Sequence, residues 1–363
     1  MKRNILLLLV SFLLSLTNAS CQSYTHEIFQ HTANQTILID SIIDLHNRTL
    51  KLEDKVTLRF LNGGRISNGV LEGSSTKIEG LTNGIFDNIT INGSWNTAHV
   101  TTTMFVNPRE NNCLVNLFSM ANDSISNVVF IEEGEYIVST NKEYQSILNV
   151  PSKTEVICNG TIKMLPNPYT NYYILNLKGN NIWVHGKGSI IGDKDNHLGT
   201  AGEWGMGIAI NGGHNIRITD MSVKDCWGDC IYIRDDADSV YINNCTLING
   251  RRQGISIVSS GTVVIENCII KDVEGTQPQF AVDVEPNKGQ TVKYVSLRNV
   301  KAVNCAGGFM CYDKAENSKV IKYELINCEV EGKAEKGAYY FTDKSYVVIR
   351  DCINRGSIVE NKN

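Results

Sequence analysis

Asp283 and Glu285 stand two residues apart in Ala281-Val-Asp-Val-Glu-Pro-Asn287, the most chemically suggestive stretch of the chain. Residues i and i+2 of a strand share a face, so the two carboxyls project side by side. Like charges at that spacing require a cation, an arginine or a shared proton to relieve them. Arg234, Arg251 and Arg252 are the arginines within reach of the same repeat. Asp229 and Glu203 bring the set of nearby acids to four, and two of the four would serve as general acid and base in cleaving a glycosidic bond. The alternative is an ion-pair ladder that braces the fold.

The elements that must position these residues are short and periodic. Gly207-Ile-Ala-Ile210, Cys230-Ile-Tyr-Ile233, Gly254-Ile-Ser-Ile257, Ala281-Val-Asp-Val284 and Gly308-Phe-Met-Cys311 begin 23, 24, 27 and 27 residues apart. A period in this range marks a repeat architecture. Apolar residues at the second and fourth positions predict strands with one buried face, stacked coil upon coil as a parallel β-helix. A second ladder runs in step: Asp220-Met221, Asn244-Cys245, Asn267-Cys268, Asn299-Val300, Asn327-Cys328 and Asp351-Cys352. Asn and Asp tolerate the left-handed turn between two strands of a coil, and the residue after them points inward.

If positions two and four face in, Asn211, Tyr232, Arg234, Ser256, Asp283, Glu285 and Tyr312 gather on one outer surface. Asp229 and the pair Arg251-Arg252 lie at the turn entering that strand. Trp204 and Trp227 flank the surface, where aromatic faces suit sugar rings; simple packing is the other reading of Trp227. The polar excursion Gly186 to Glu203 carries Asp193, Asp195 and His197, and reads either as a groove wall or as a surface turn with an incidental histidine. The expected substrate-binding set is thus His197, Trp204, Trp227, Tyr232, Arg234, Arg251, Arg252 and Tyr312.

The rest of the chain sets the context. Lys2 and Arg3 precede the apolar run Ile5 to Leu16, which predicts a signal peptide over residues 1–20. Cys21 follows Ala19-Ser20 like the lipidation cysteine of bacterial lipoproteins, although Asn18 departs from that pattern; ordinary cleavage is the alternative. The expected location is therefore periplasmic or cell-surface, or secreted, with membrane contact only through a lipid on Cys21. Without the signal, 32 basic residues face 38 acids, which argues against a nucleic-acid partner. Cys245, Cys268, Cys328 and Cys352 share an inward repeat position, so they are expected as unpaired core residues, with Cys226 and Cys230 also buried. Residues 22–100 read as β-rich coils or a subdomain, and 101–360 as the solenoid. Leu114, Leu117, Phe118 and Ala121 share a helical face, predicting a short capping helix.

Gly186-Lys-Gly-Ser-Ile-Ile-Gly192, the Cys230-Ile-Tyr-Ile coil and Arg252-Gln-Gly-Ile-Ser-Ile257 together resemble the pectate-lyase-like right-handed β-helix superfamily. Within it the order is similar to polygalacturonases and to bacterial or phage right-handed β-helix repeat proteins. The resemblance implies an all-β, right-handed parallel β-helix and a polysaccharide substrate. Polygalacturonases carry Asn-Thr-Asp, then an Asp before Cys, then Gly-His-Gly on successive coils. This chain has Gly205-Met-Gly207, Gly228-Asp229-Cys230 and Arg252-Gln253-Gly254, so only Asp229 carries over. Three functions stay open: a glycoside hydrolase acting on an acidic polysaccharide through Asp229, Asp283, Glu285 and Glu203; a polysaccharide lyase or uronate C5-epimerase using Arg252 with Tyr232 or His197; or a non-catalytic carbohydrate-binding protein. No cofactor is expected, with calcium at Asp283 and Glu285 left open for the second.

Overall fold

The structure, a computed structural model, describes residues 32–109, 112–344 and 346–356. The expected signal peptide and Cys21 lie outside the described residues. The chain forms two compact units, Met1–Asn127 and Val128–Asn363.

The first unit is itself coiled. Thr36–Ile39 pairs in parallel with Thr57–Phe60, which pairs with Arg65–Gly80, and the long strands Ile42–Lys51, Arg65–Gly80 and Phe86–Trp95 run in parallel beside one another. Leu58, Phe60, Ile66, Leu71, Phe86 and Trp95 form its interior. The one α-helix among the described residues, Cys113–Ser119, buries Leu114, Leu117 and Phe118 as their spacing predicts, but it ends before Ala121, which is half-buried. Asn116 fastens it to Phe86–Trp95, accepting from the Ile91 N–H at 2.9 Å and donating to the Ile89 carbonyl at 2.7 Å.

The second unit is a right-handed parallel β-helix. Successive coils each give one strand to each of three parallel sheets. The first runs from Asn127–Ile131 to Val347–Arg350, the second from Glu135–Val138 to Ile353–Gly356, and the third from Gln145–Val150 to Tyr339–Phe341. The recurrent apolar segments are the third sheet. Its register stacks Ile208, Ile231, Ile255, Val282 and Phe309 in one inward column. Ile210, Ile233, Ile257, Val284 and Cys311 form the next, and all ten side chains are fully buried.

The turn ladder has the expected conformation. Asp220, Asn244, Asn267, Asn299, Asn327 and Asp351 all adopt φ between 52° and 63°. Their amides also bond along the stack, Asn299 Nδ2 to Asn267 Oδ1 at 3.0 Å and Asn327 Nδ2 to Asn299 Oδ1 at 2.6 Å. The residues that follow are buried, except Cys352, which is half-buried, and the ten cysteines described are free thiols.

The first position of each repeated segment is small for a steric reason. Residues 207, 230, 254, 281 and 308 are Gly, Cys, Gly, Ala and Gly. A Cβ on Gly254 would stand 2.4 Å from both the Ala281 carbonyl oxygen and Ile270 Cγ2, where backbone and core leave no room. Gly254→Ala should therefore lower stability by about 2 kcal/mol or more, read as a fall in the urea midpoint. An unchanged midpoint would mean that the coil spacing relaxes freely.

Candidate functional site

On the outward side of the third sheet, two columns run beside one another. Ala209, Tyr232, Ser256, Asp283, Met310 and Tyr340 are successive partners in the first. Asn211 and Arg234 begin the second, which Glu285 and Tyr312 continue two residues beyond Asp283 and Met310. The alternation of the sequence is thus realised, with one correction. Ser256 and Asp283 are not surface groups, because both are fully buried on the outer face.

Four carboxylates converge on one arginine. Arg252 Nη1 donates to Asp229 Oδ2 at 3.2 Å and Oδ1 at 3.4 Å, and its Nε stands 3.9 Å from Glu203 Oε2. Burial works against the charge of Arg252. The combined field of Asp229, Asp283, Glu203 and Glu285 outweighs it and holds the guanidinium firmly protonated. Of the three arginines the sequence offers as relief, Arg252 is the one that provides it. Arg234 pairs with its neighbour Asp235 at 3.0 Å, and Arg251 packs elsewhere.

Burial sorts the acids into two layers. Asp229 is fully enclosed, and burial raises its pKa to about 6 against the pull of Arg252. Asp283, equally enclosed, is driven well above the carboxylate range by burial and then by Glu285. Its Oδ2 accepts from Gln253 Nε2 at 2.7 Å, while its Oδ1 receives no hydrogen bond. The neighbouring Glu285 carboxylate adds to the rise of Asp283, because two like charges side by side disfavour ionisation of the more deeply buried one. Glu285 and Glu203 are half-buried and reach solvent, and burial raises Glu285 as well. Gln253 completes the arrangement: its Oε1 accepts from the Phe280 N–H at 2.7 Å, so one amide ties two coils and the Asp283 carboxyl.

The expected aromatic and histidine contacts divide. Trp204 is 42% exposed and open to a ligand. Trp227 is not, because its ring is sandwiched between the His197 ring at 3.8 Å and the Arg251 guanidinium at 3.7 Å. His197 is likewise withdrawn: its side chain is fully buried and its Nδ1 lies 2.8 Å from Asp193 Oδ2. Asp193 also takes hydrogen bonds from Tyr172 and from Asn167. Arg251 Nη1 donates to the Gly202 carbonyl at 2.6 Å, so this stack pins segment 193–203 down and leaves neither Trp227, His197 nor Arg251 free for substrate. The side chain of Tyr232 is half-buried, and burial pushes it up to about 12.

A cleft of about 280 Å³ opens beside this cluster, walled by Phe280, Glu285, Met310, Tyr312, Lys336 and Tyr340 among others. Sequence reasoning did not reach Lys336 or Tyr340. One more step of the ladder, from Gly308-Phe-Met-Cys311 to Ala338-Tyr-Tyr-Phe341, carries the signal that places Tyr340 above Met310. Among the described residues no group of three or more His, Cys, Asp or Glu side chains is arranged to hold a metal ion.

The fold and this face define a right-handed β-helix with a carboxylate cluster on one outer sheet. Residues 169–322 match the family model described as right handed beta helix region. The chain is 30% identical over 227 residues to uncharacterized protein YclG of Bacillus subtilis (strain 168), covering 53% of this chain and 38% of that protein. It is 27% identical over 190 residues to the SPbeta prophage-derived uncharacterized protein YorA of the same strain, covering 44% of this chain and 32% of that one. The chain thus spans only about a third of the length of these curated relatives. A crystal structure from Parabacteroides merdae ATCC 43184, provisionally assigned as a glycosyl hydrolase, is similar with a TM-score of 0.32 and 10% identity over 63% of this chain and 83% of its own. A likeness that loose transfers no chemistry.

The Asp229 environment gives a test of the cluster itself. Its folded pKa of about 6 lies above the ordinary 3.8, so its contribution to stability is full below about pH 4 and is lost as pH rises through 6. The loss amounts to about 3 kcal/mol. Asp229→Asn removes it, so between pH 4 and 7 the variant should gain about that much stability relative to the native protein in urea denaturation. A constant difference would contradict the raised pKa.

Proposed function

We propose that the protein is a glycoside hydrolase that cleaves an acidic polysaccharide on the outer face of the third sheet. The observation that carries this reading is the layering of the carboxylates around Arg252. Two half-buried acids, Glu285 and Glu203, stand in front of two enclosed ones, and burial favours the protonated form of both enclosed acids. Glu285, raised by burial, is suited to protonate the leaving oxygen, with Asp283 behind it to resupply the proton. Glu203, beside Arg252, is placed to act as general base or nucleophile. Asp229 holds Arg252 in place. Trp204 offers a ring face on which a sugar can stack.

Elimination is less well supported. It needs a free cation to neutralise the substrate carboxylate and a base beside it. The charge of Arg252 is already taken up by the acids around it, Tyr232 is raised to about 12, and the His197 side chain is buried against Trp227. Calcium at Asp283 and Glu285 belongs to that alternative, and a protonated Asp283 is a poor ligand for it. The reading takes the protein as exported, either anchored through a lipid on Cys21 or released.

The test is incubation with a panel of acidic and neutral polysaccharides, following reducing ends and the absorbance of unsaturated uronates, with and without chelator. The expected outcome is reducing ends without absorbance, insensitive to chelator. Glu285→Gln should reduce that rate about 100-fold or more. Activity should fall on the alkaline side as Glu285 loses its proton. New absorbance would establish elimination instead, and binding without any product would make the protein a carbohydrate receptor.

A further inference from the structure

The cleft beside Glu285 carries a feature that acid–base chemistry does not use. Lys336 is exposed on its wall and makes no ion pair among the described residues. Its neighbour Lys333 is bound to Glu274 at 2.8 Å, and Lys301 and Lys322 are paired with glutamates as well. An uncommitted ammonium is therefore left in a cleft whose other charged wall residue is a glutamate. An ammonium without an ion-pair partner on the wall of a cleft is available to an incoming anion.

The same cleft has a platform for a sugar ring. Tyr340 is 44% exposed, and its ring packs at 6.2 Å and 50° on that of Phe280, which is buried and holds it in place. Tyr340 follows Met310, and Met310 follows Asp283, in one outward column. Adjacent coils are about 4.8 Å apart, so Tyr340 lies roughly 10 Å from the strand of Asp283, about the reach of one or two sugar units. A polyanion approaching Glu203 and Glu285 is repelled unless a cation compensates it at the next ring.

We infer that this cleft is the binding subsite for one ring of the substrate chain, with Tyr340 beneath the ring and Lys336 receiving its anionic substituent, a carboxylate or a sulfate ester. Lys336 is then the residue that selects an acidic over a neutral polymer. The inference rests on the saccharide-cleaving reading of the same face and adds its specificity to it.

The experiment uses the full mature chain carrying Glu285→Gln, so that bound oligosaccharides persist. Calorimetric titration compares neutral, uronate and sulfated oligosaccharides of equal length, in that background and with Lys336→Met or Lys336→Arg added. Because Lys336 is exposed, neither change should disturb the fold, and circular dichroism verifies this. The expected result is that an anionic oligomer binds at least about 10-fold more tightly than the neutral one. Lys336→Met should erase that preference while keeping neutral binding, and Lys336→Arg should retain it. Whether the uronate or the sulfated arm shows the effect identifies the anion. A preference that survives Lys336→Met overturns the role of Lys336 and leaves the hydrolase reading standing. Binding of no saccharide at all overturns both.

Discussion

Parallel coiling imposes one constraint from which core and site both follow: a residue on one coil stands directly over its register partner on the next. Inward, that rule stacks Ile208, Ile231, Ile255, Val282 and Phe309 into a continuous apolar column. At the start of each segment it demands small residues, since a side chain at 254 would strike the Ala281 carbonyl. Outward, it places Ser256 beneath Asp283 and Asp283 beneath Met310 whatever their chemistry. Residues separated by dozens of positions are thereby assembled at spacings of about 5 Å without any long-range design beyond the repeat.

Within that frame the carboxylate cluster is held by electrostatics rather than by packing. Burial destabilises the ionised forms of Asp229, Asp283 and Glu285, Arg252 stabilises them, and the balance differs with depth. The enclosed acids keep protons to a higher pH, and the half-buried Glu203 and Glu285 remain open to solvent. A proton store behind an accessible acid is the arrangement that acid catalysis at moderate pH calls for. The stack of His197, Trp227 and Arg251 serves a different end, since it fixes segment 193–203, at whose end Glu203 lies beside Arg252.

The periodic features were legible in the sequence because they obey local rules. The left-handed turns at Asn244, Asn267 and Asn327 and the inward cysteines after them follow from side-chain chemistry and period alone. The proximity of Asp283, Glu285 and Asp229 to an arginine was legible too, though not which arginine. Their burial was not, because alternation states which way a side chain points and not what else covers it: Asp283 points outward and is still enclosed. For the same reason Trp227 and His197 looked available as ligand contacts. Their stacking joins segment 193–203 to a turn some thirty residues on, and no local pattern encodes that meeting. Tyr340 and Lys336 are harder to read because Ala338-Tyr-Tyr-Phe341 carries three aromatic residues in a row, which masks the alternation of apolar and polar positions.

In the proposed reaction Asp283 stores a proton behind Glu285 at neutral pH, as its burial and the adjacent carboxylate favour. Infrared difference spectroscopy of the carboxyl C=O stretch, comparing the native protein with Asp283→Asn at pH 7, tests it directly. The expected result is a protonated-carboxyl band in the native protein that disappears in the variant. Identical spectra, with every carboxyl of the cluster ionised at pH 7, would contradict it.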